Sequence, residues 1–537
     1  MKYLKLNKIM ALAVFSAVSL NASAQDKVTG YVFNDQNKNN KKDKTEKGIS
    51  HVAVTNGEQV VLTDNNGKYE LPLGDDNIIS VVKPSGYNLA VDENNLPVFF
   101  YNHKPKGSPE LKFKGVSPTG KLPKSVDFGL IKTEENTDFT ALVFGDPQPY
   151  TLEEIEYFKK GIIEEVEGVK NIPFGISLGD LVGNDLDLFN PYIEAVKAVG
   201  VPWYNVLGNH DMNFDATTDK LSDETYEAHF GPANYAFNYG KVHFIVLDDI
   251  LYPDPRALGK YWGGFREDQI RFVENDLKFV PKDHLIVLAF HIPLSEPDND
   301  TFRDYDRDRL FSLLKDYPNT LSLSAHTHIQ KQDFFGEKEG WLREKPHHEY
   351  NVGTTSGDWY SGKLNEVGVP VSTMRDGTPK GYAFIHFKDN TYNIEYKVAG
   401  KPREYQIEVF APKVVAKGKR TKSGIYANFF MGNAQDEVLY RIDKGEWKAM
   451  THVEDYDPSY AALVYEWDTS EVLLAGKRGS NPIISNHLWR GKIPTKLKAG
   501  EHTIEVKATD MFGNEYYQTS SYRIEELSNT TKTDLAK

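Results

Sequence analysis

Nine polar residues lie just behind apolar, strand-like runs, and their types point to shared chemistry. Asp146 and Gln148 close "LVFGDPQ", Asp180 closes "ISLGD", and "VLGNHD" supplies Asn209, His210 and Asp211. His291 ends "VLAFH", while "SLSAHTH" carries His326 and His328. Taken singly, each is as readily a turn or a helix cap as a ligand. Taken together, carboxylates and imidazoles gathered on one rim would carry uncompensated charge unless cations neutralised it. The chain has no cysteine, so the donors are oxygen and imidazole, a set that suits divalent Mn, Zn or Fe.

The set divides into two sites. Asp180 can place one oxygen on each of two ions held about 3.5–4 Å apart. Asp146, Gln148 and His328 complete the first site; Asn209, His291 and His326 complete the second. Alternate residues of an extended segment point opposite ways, which lets His326 and His328 serve different ions. His210 is positioned to donate a proton to a leaving oxygen, with Asp211 as the partner that fixes its ring. A hydroxide bridging the ions would attack phosphorus in line, because each ion lowers the pKa of bound water.

Such a rim needs strands that end together. Residues 139–404 alternate apolar strand-like runs with helical patterns at 152–166 and 266–280, which argues an α/β layered unit with functional residues at strand ends. Residues 25–138 read as short β-branched strands split by Asn, Asp and Gly turns, a small sandwich. Residues 405–537 return to strands ("DEVLYRIDKG", "AALVYEWD", "HTIEVKATD"), with Trp447, Trp467 and Trp489 expected in the core or on strand faces. The expected fold is therefore multidomain: a central α/β sandwich of two β-sheets flanked by helices, between two small all-β domains. Residues 1–24 have the basic start, short apolar segment and "ASAQ" site of an export signal, so the chain is expected in the periplasm rather than secreted.

Other stretches offer further candidates. In "DQNKNNKKDKTE", Asp35, Asn37, Asn39, Lys41, Asp43 and Glu46 have the spacing of a calcium loop, against the simpler reading of a solvated polar turn. Arg303 and Arg307 in "EPDNDTFRDYDRDR" read equally as a phosphate-meeting lid or as a helix start laced with ion pairs. Asp358, Trp359 and Tyr360 in "NVGTTSGDWYSG" are candidates for a leaving-group pocket, and Arg375 is a further phosphate candidate. His347 and His348 are expected at the surface, since both ions already have ligands. The formal charge is −14. Without residues 1–24, which hold three lysines and no acid, 60 basic residues face 77 acidic ones, or −17. No basic block with interleaved aromatics stands out, so a nucleic-acid partner is not expected. No other stretch is long and apolar enough to span a bilayer.

The motifs "GDPQ", "GD", "GNHD", "H" and "AHTH", at intervals of about 34, 29, 82 and 35 residues, resemble the calcineurin-like metallophosphoesterases. The whole chain looks like exported Bacteroidetes-type members with an N-terminal prealbumin-like and a C-terminal β-sandwich accessory domain. The resemblance implies that Asp180 bridges the metals, Asn209 binds the second and His210 is catalytic. Two departures stand out: Gln148 replaces a frequent histidine, and Ala325 replaces the usual glycine before the last histidines. Gln148 favours Mn²⁺ and, by resemblance, phosphodiester or pyrophosphate bonds of small extracytoplasmic compounds such as lipid or nucleotide conjugates. Two alternatives stay open: a phosphomonoesterase for sugar, inositol or lipid headgroup phosphates, and a catalytically inactive, calcium-stabilised binding or adhesion protein. A metallo-β-lactamase-type hydrolase would carry an HxHxDH cluster, which this chain lacks.

Overall fold

The strands of the middle segment are apolar on both faces, so each must be buried between two layers. In "FTALVF", Ala141 and Val143 enter one hydrophobic core while Leu142 and Phe144 enter another. The computed structural model describes residues 26–257, 259–295 and 301–527. The expected export signal lies outside the described residues, as do residues 296–300 of the arginine-rich stretch. Among the described residues, no helix is long and apolar enough to cross a membrane.

Eleven strands build the two central sheets: β1 (Asp138–Phe144), β2 (Gly175–Ser177), β3 (Trp203–Asn205), β4 (Tyr235–Tyr239), β5 (Val242–Val246), β6 (Leu285–Ala289), β7 (Asn319–Ser324), β8 (Lys331–Phe335), β9 (His347–Asn351), β10 (Gly381–Lys388) and β11 (Thr391–Val398). One sheet has the order β3-β2-β1-β10-β11 and the other β4-β5-β6-β7-β9-β8. Within each, the strands that lead to polar loops are parallel: β1, β2 and β3 in the first, β5, β6, β7 and β9 in the second. A parallel bridge between Gly145 and Thr354 joins the sheets at the rim where those strands end. The inner faces share a core that includes Val143, Ile176, Phe244, Val287 and Leu323. Helices such as Phe189–Lys197 and Glu267–Asp276 cover the outer faces through Tyr192, Phe272 and Val273. The expected helix at 152–166 forms as Leu152–Phe158, a π turn at Lys159–Ile163 and Glu164–Val166, capped by Thr151.

His347 and His348 overturn the surface expectation: they are 0% and 3% exposed. They open β9, which lies between β7 and β8. The His347 ring sits between the Ser322 and Thr320 hydroxyls at 2.7 and 2.8 Å, and the His348 ring stacks on Phe334 with centroids 4.7 Å apart. Burial pushes both imidazoles down to about 3, so they are held neutral, which makes polar rings tolerable inside.

Before the central sheets, residues 26–132 form a five-stranded and a four-stranded sheet. The buried Lys83 ammonium ties this part to the middle one, 2.5 Å from Glu135 and 2.7 Å from the Asn238 carbonyl. Lys104 reaches Glu224 and Glu227, each at 2.7 Å. In the candidate calcium loop, Asp35 and Glu46 are buried and spend their oxygens on backbone N–H groups: those of Asn39 and Asn40 for Asp35, those of Gln36 and Asp43 for Glu46. Asn37 donates to Asp43 at 2.7 Å, while Asn39 and Lys41 are exposed. The loop is closed by its own hydrogen bonds.

After the central sheets, a four-stranded and a five-stranded sheet follow, packed through Trp489, Ile425 and Val506. One expected strand is wrong: "AALVYEWD" lies in the helix Pro458–Thr469. Asp457 caps it by accepting from the Tyr460 N–H at 2.7 Å, Pro458 takes the first position, and Tyr460 and Val464, four apart, are its buried residues. The apolar run was there, with helical rather than alternating burial. Trp489 is in the core, Trp447 is half-buried under the Arg441 guanidinium, and Trp467 lies on this helix.

This last part grips the middle one through a buried pair. Asp376 receives the Gln330 N–H at 2.9 Å and faces His487 Nε2 at 3.0 Å. His487 Nδ1 lies 2.6 Å from Asn428 Oδ1, and the Asn428 amide group is oriented by donating to the Asp376 carbonyl and to Asp457. Both ring nitrogens thus face oxygen, so the ring bridges Asp376 and Asn428. His487→Ala would leave Asp376 and the Asn428 amide oxygen buried without the ring that bridges them, which costs about 1–3 kcal/mol. Thermal unfolding should show a clear fall in Tm that Asp376→Asn in the same chain partly restores; an unchanged Tm would show that the pair carries no stability.

Candidate metal centre

The ends of β1, β2, β3, β6 and β7 bring the polar residues together by turning sharply. Asp146, Gln148, Asp180, His326 and His328 all have left-handed backbones, with φ of 35°, 40°, 47°, 69° and 52°. Each costs roughly 1–2 kcal/mol for a residue with a Cβ, and such strain gathers at functional sites. His326 and His328 therefore diverge by left-handed turns beyond the end of β7, and not by the strand alternation expected from the sequence. Ala325 keeps an ordinary φ and donates its N–H to the His291 carbonyl at 2.9 Å, so the departure from glycine is harmless. Gly208 is required: a Cβ there would lie 2.0 Å from the Asp180 nitrogen.

Two groups of donors meet at Asp180. On one side, His291 Nε2 lies 3.3 Å from Asp180 Oδ1, 3.1 Å from Asn209 Oδ1 and 3.2 Å from His326 Nδ1. On the other, Gln148 Nε2 is 3.1 Å from Asp180 Oδ2, and His328 Nε2 is 3.7 Å from Asp146 Oδ1. His291 and His328 donate their Nδ1–H groups to the carbonyls of Leu178 and Gly357, at 2.8 and 2.6 Å, which leaves each Nε2 lone pair for the cluster. Asp146 Oδ1 and Gln148 Oε1 are buried with no hydrogen-bond partner. Among the described residues, the group able to hold an ion by distance is Asp180, His291 and His326. The donor types, carboxylate, amide oxygen and imidazole, fit divalent metals.

The charges say the same. Burial pushes the Asp146 carboxyl up to about 8, and nearby Asp180 adds to it. For Asp180 burial pulls upward too, but His291 and His210 hold it well below the usual carboxylate range. Burial presses His291 down, yet Asp180 and Asp146 raise it to about 10, while burial and the His291 charge drive His326 down to about 3. Burial likewise lowers His328 to about 4. The cavity stabilises positive charge between carboxylates, which a proton on His291 supplies in part and a divalent ion supplies better.

His210 is less buried, with Nε2 4.0 Å from Asp180 Oδ2. Its ring is not fixed by Asp211, as expected, but by Asn184, whose Oδ1 accepts from Nδ1–H at 2.7 Å. Asp211 is fully buried and instead receives the N–H groups of Leu181, Val182 and Gly208, bracing the loops of Asp180 and Asn209. Asp249 does the same for His291 and Ile292, at 3.2 and 2.9 Å. Asn351 holds the Ala325 carbonyl and Thr327. The reading of the sequence missed these supports, although Asp249 follows an apolar run, "HFIVLDD", as the ligands do. Asn184, inside "LVGND", carries no such signal.

The proposed substrate residues separate. Trp359 stacks on the His328 ring with centroids 4.0 Å apart, and Arg375 lies 5.6 Å from the Trp359 centroid while donating to the Thr327 carbonyl at 2.8 Å. Tyr261, not anticipated, stands edge-on to His326 at 6.1 Å. Tyr360 is buried and donates to the Pro147 carbonyl, and Asp358 receives the Ser480 N–H and the Ser361 hydroxyl; both fix loops rather than line a pocket. Arg303 is spent on Asp306 and the Phe265 carbonyl, and Arg307 on Asp304 and Asp308, so the ion-paired helix start is the reading that holds.

Comparison with known proteins follows the same outline. Residues 36–117 match the family description "N terminal of Calcineurin-like phosphoesterase", residues 139–330 match "Calcineurin-like phosphoesterase", and residues 349–516 match "C terminal of Calcineurin-like phosphoesterase". A probable glycerophosphodiester phosphodiesterase GpdQ of Arcobacter nitrofigilis is 27% identical over 162 residues, 28% of this chain and 55% of that protein, so the chain spans about half the length of this curated relative. Among solved structures, purple acid phosphatase PPD1 of yellow lupin (Lupinus luteus) has a TM-score of 0.33 at 14% identity, over 65% of this chain and 67% of its own. GAP50, the anchor in the inner membrane complex of Plasmodium, has a TM-score of 0.31 at 16% identity, over 49% and 85%. The three family matches run in order along the chain, and the central one holds every residue of the ligand set: the protein belongs to the calcineurin-like phosphoesterases.

Proposed function

We propose that the protein is a two-metal phosphoric ester hydrolase that prefers phosphodiester or pyrophosphate bonds in small extracytoplasmic compounds. The observation that carries this is the meeting of two donor groups on Asp180, with Asp146 Oδ1 and Gln148 Oε1 buried and unpartnered beside them. Asp146, Gln148, Asp180 and His328 would hold one ion, and Asp180, Asn209, His291 and His326 the other. When bound, the pair would neutralise phosphoryl charge and activate the attacking water, with Mn²⁺ suited to the amide of Gln148. His210, oriented through Nδ1 by Asn184, would deliver a proton from Nε2 to the leaving oxygen. Trp359 and Tyr261 would wall the two sides of the substrate.

The preference for diesters draws support from what the arginines do. A monoesterase needs extra cations for a doubly charged terminal phosphate, and Arg303 and Arg307 are engaged in ion pairs. The curated relative named as a phosphodiesterase agrees with this lean. The β-rich units before and after the central sheets are read as parts that flank and brace the catalytic unit, and residues 1–24 as the signal that exports it.

Two experiments test the reading. Metal-stripped protein should regain activity with Mn²⁺ or Zn²⁺ and should hydrolyse bis-p-nitrophenyl phosphate faster than p-nitrophenyl phosphate; a strong monoester preference would overturn the choice of substrate but not the metal centre. His210→Ala should keep both metals and lose about 10²–10⁴-fold in kcat on a substrate with a poor leaving group, and less with p-nitrophenol. Equal losses on both substrates, with metals retained, would remove the general-acid role.

A further inference from the structure

A groove on the C-terminal part gathers positive charge in a chain whose net charge is −14. The turn 418–423 forms one wall, and the strands Thr451–Tyr456 and Ile484–Lys492, with residues that follow, form the other. Lys419, Arg420, Lys422, Arg490, Lys492 and Lys496 line it, with no carboxylate among the lining residues, around about 900 Å³ of space. None of these six forms an ion pair among the described residues, whereas Lys417, just before the turn, is paired with Glu526 outside the groove. The shape is fixed in advance. Gly418 N–H donates to the Thr495 carbonyl at 2.7 Å, the Thr495 hydroxyl donates to the Lys419 carbonyl at 2.8 Å, and the Arg490 guanidinium donates to the Lys422 carbonyl.

Six like charges around one concavity repel each other and focus a positive field into it, so the groove gains stability from an anion. The partner's chemistry follows from the walls. A concave site suits a chain better than a flat bilayer. No aromatic ring is among the lining residues, so nothing there would stack on nucleobases as single-strand binders do. The hydroxyls of Thr421, Ser423, Thr451 and Thr495 stand among the cations, as sugar hydroxyls would require. The groove is also remote from the metal centre. Ile483 donates its N–H to the Arg375 carbonyl beside the centre, and the strand from Ile484 then runs to Lys492, about 25–30 Å at ~3.3 Å per residue.

We propose that this groove binds an anionic polysaccharide, whose carboxylate or sulfate groups meet the lysines and arginines. It is a second site, which retains the protein on a polymer while the metal centre acts on small esters.

The test uses the full chain at low salt. Heparin and polygalacturonate are titrated against it by calorimetry, with neutral dextran, poly(dT) and phosphatidylglycerol vesicles as comparators. The two anionic polysaccharides should bind, dextran should not, and affinity should fall as salt rises. The triple variant Lys419→Glu, Lys422→Glu, Lys492→Glu should bind polysaccharide about tenfold or more weakly, with Tm and turnover of a small phosphoester unchanged. If that variant folds poorly, the triple change to Gln gives the same reading with a smaller loss. Equal affinity of the charge-altered and parent chains would overturn the proposal, as would tighter binding of poly(dT) or of vesicles than of either polysaccharide.

Discussion

The left-handed turns at Asp146, Gln148, Asp180, His326 and His328 are the constraint on which the rest of this structure depends. These five residues of the proposed ligand set adopt a backbone that glycine would adopt freely. Glycine has no side chain to offer a metal, so the conformation has to be imposed from outside the loop. Buried carboxylates and an amide stand behind three of the five and behind two neighbouring loops: Asp211 behind Asp180 and the loop of Asn209, Asn351 and Asp376 behind the His326–His328 turn, and Asp249 behind His291. Burial pushes the carboxyls of Asp211 and Asp249 well above their ordinary range, while backbone N–H groups pull the other way. The braces are therefore hydrogen-bonded by the protein itself, whereas Asp146 Oδ1 and Gln148 Oε1 are left without a partner.

Much of this was legible in the sequence because the ligands are a one-dimensional pattern. Each follows an apolar run, each run is a strand buried on both faces, and parallel strands end on one rim. Asp146, Gln148, Asp180, Asn209, His291, His326 and His328 could thus be grouped before any distance was known. The supports were hidden because they act through backbone hydrogen bonds, which any Asp or Asn near a turn can make. Asp211 shows the limit: adjacency to His210 in "GNHD" invited a partnership, yet its side chain turns inward to three N–H groups while Asn184 reaches the ring. The His347–His348 doublet misled for a related reason. Two polar letters look like surface, but neutral imidazoles beside hydroxyls are ordinary core residues. "AALVYEWD" failed because a short apolar run does not declare its period, and only the Asp457–Pro458 cap decides it.

The surroundings of the centre divide their tasks by chemistry. Aromatic rings lie beside the histidines of the centre, Trp359 stacked on His328 and Tyr261 edge-on to His326. Charged residues expected there are mostly committed elsewhere, in ion pairs along the helix Asp304–Leu314 and in the contact of Asp358 with Ser480. Arg375 is the cation that stays close, stacked near Trp359 and tied to the Thr327 carbonyl.

The grip of His487 on Asp376 has a consequence for how the centre comes into being. The ligands span residues 146 to 328, the brace of the last turn is residue 376, and the residue that holds the brace lies a further 111 positions along the chain. Gln330 and Gln332, just past the histidine turn, are likewise held by Met431. No contiguous half of the polypeptide contains a finished site. Contacts of such wide separation form late, because loop-closure entropy must be met before they contribute. A chain emerging from a ribosome in N-to-C order thus carries all the proposed metal donors long before residue 487 arrives to hold the brace of their last turn.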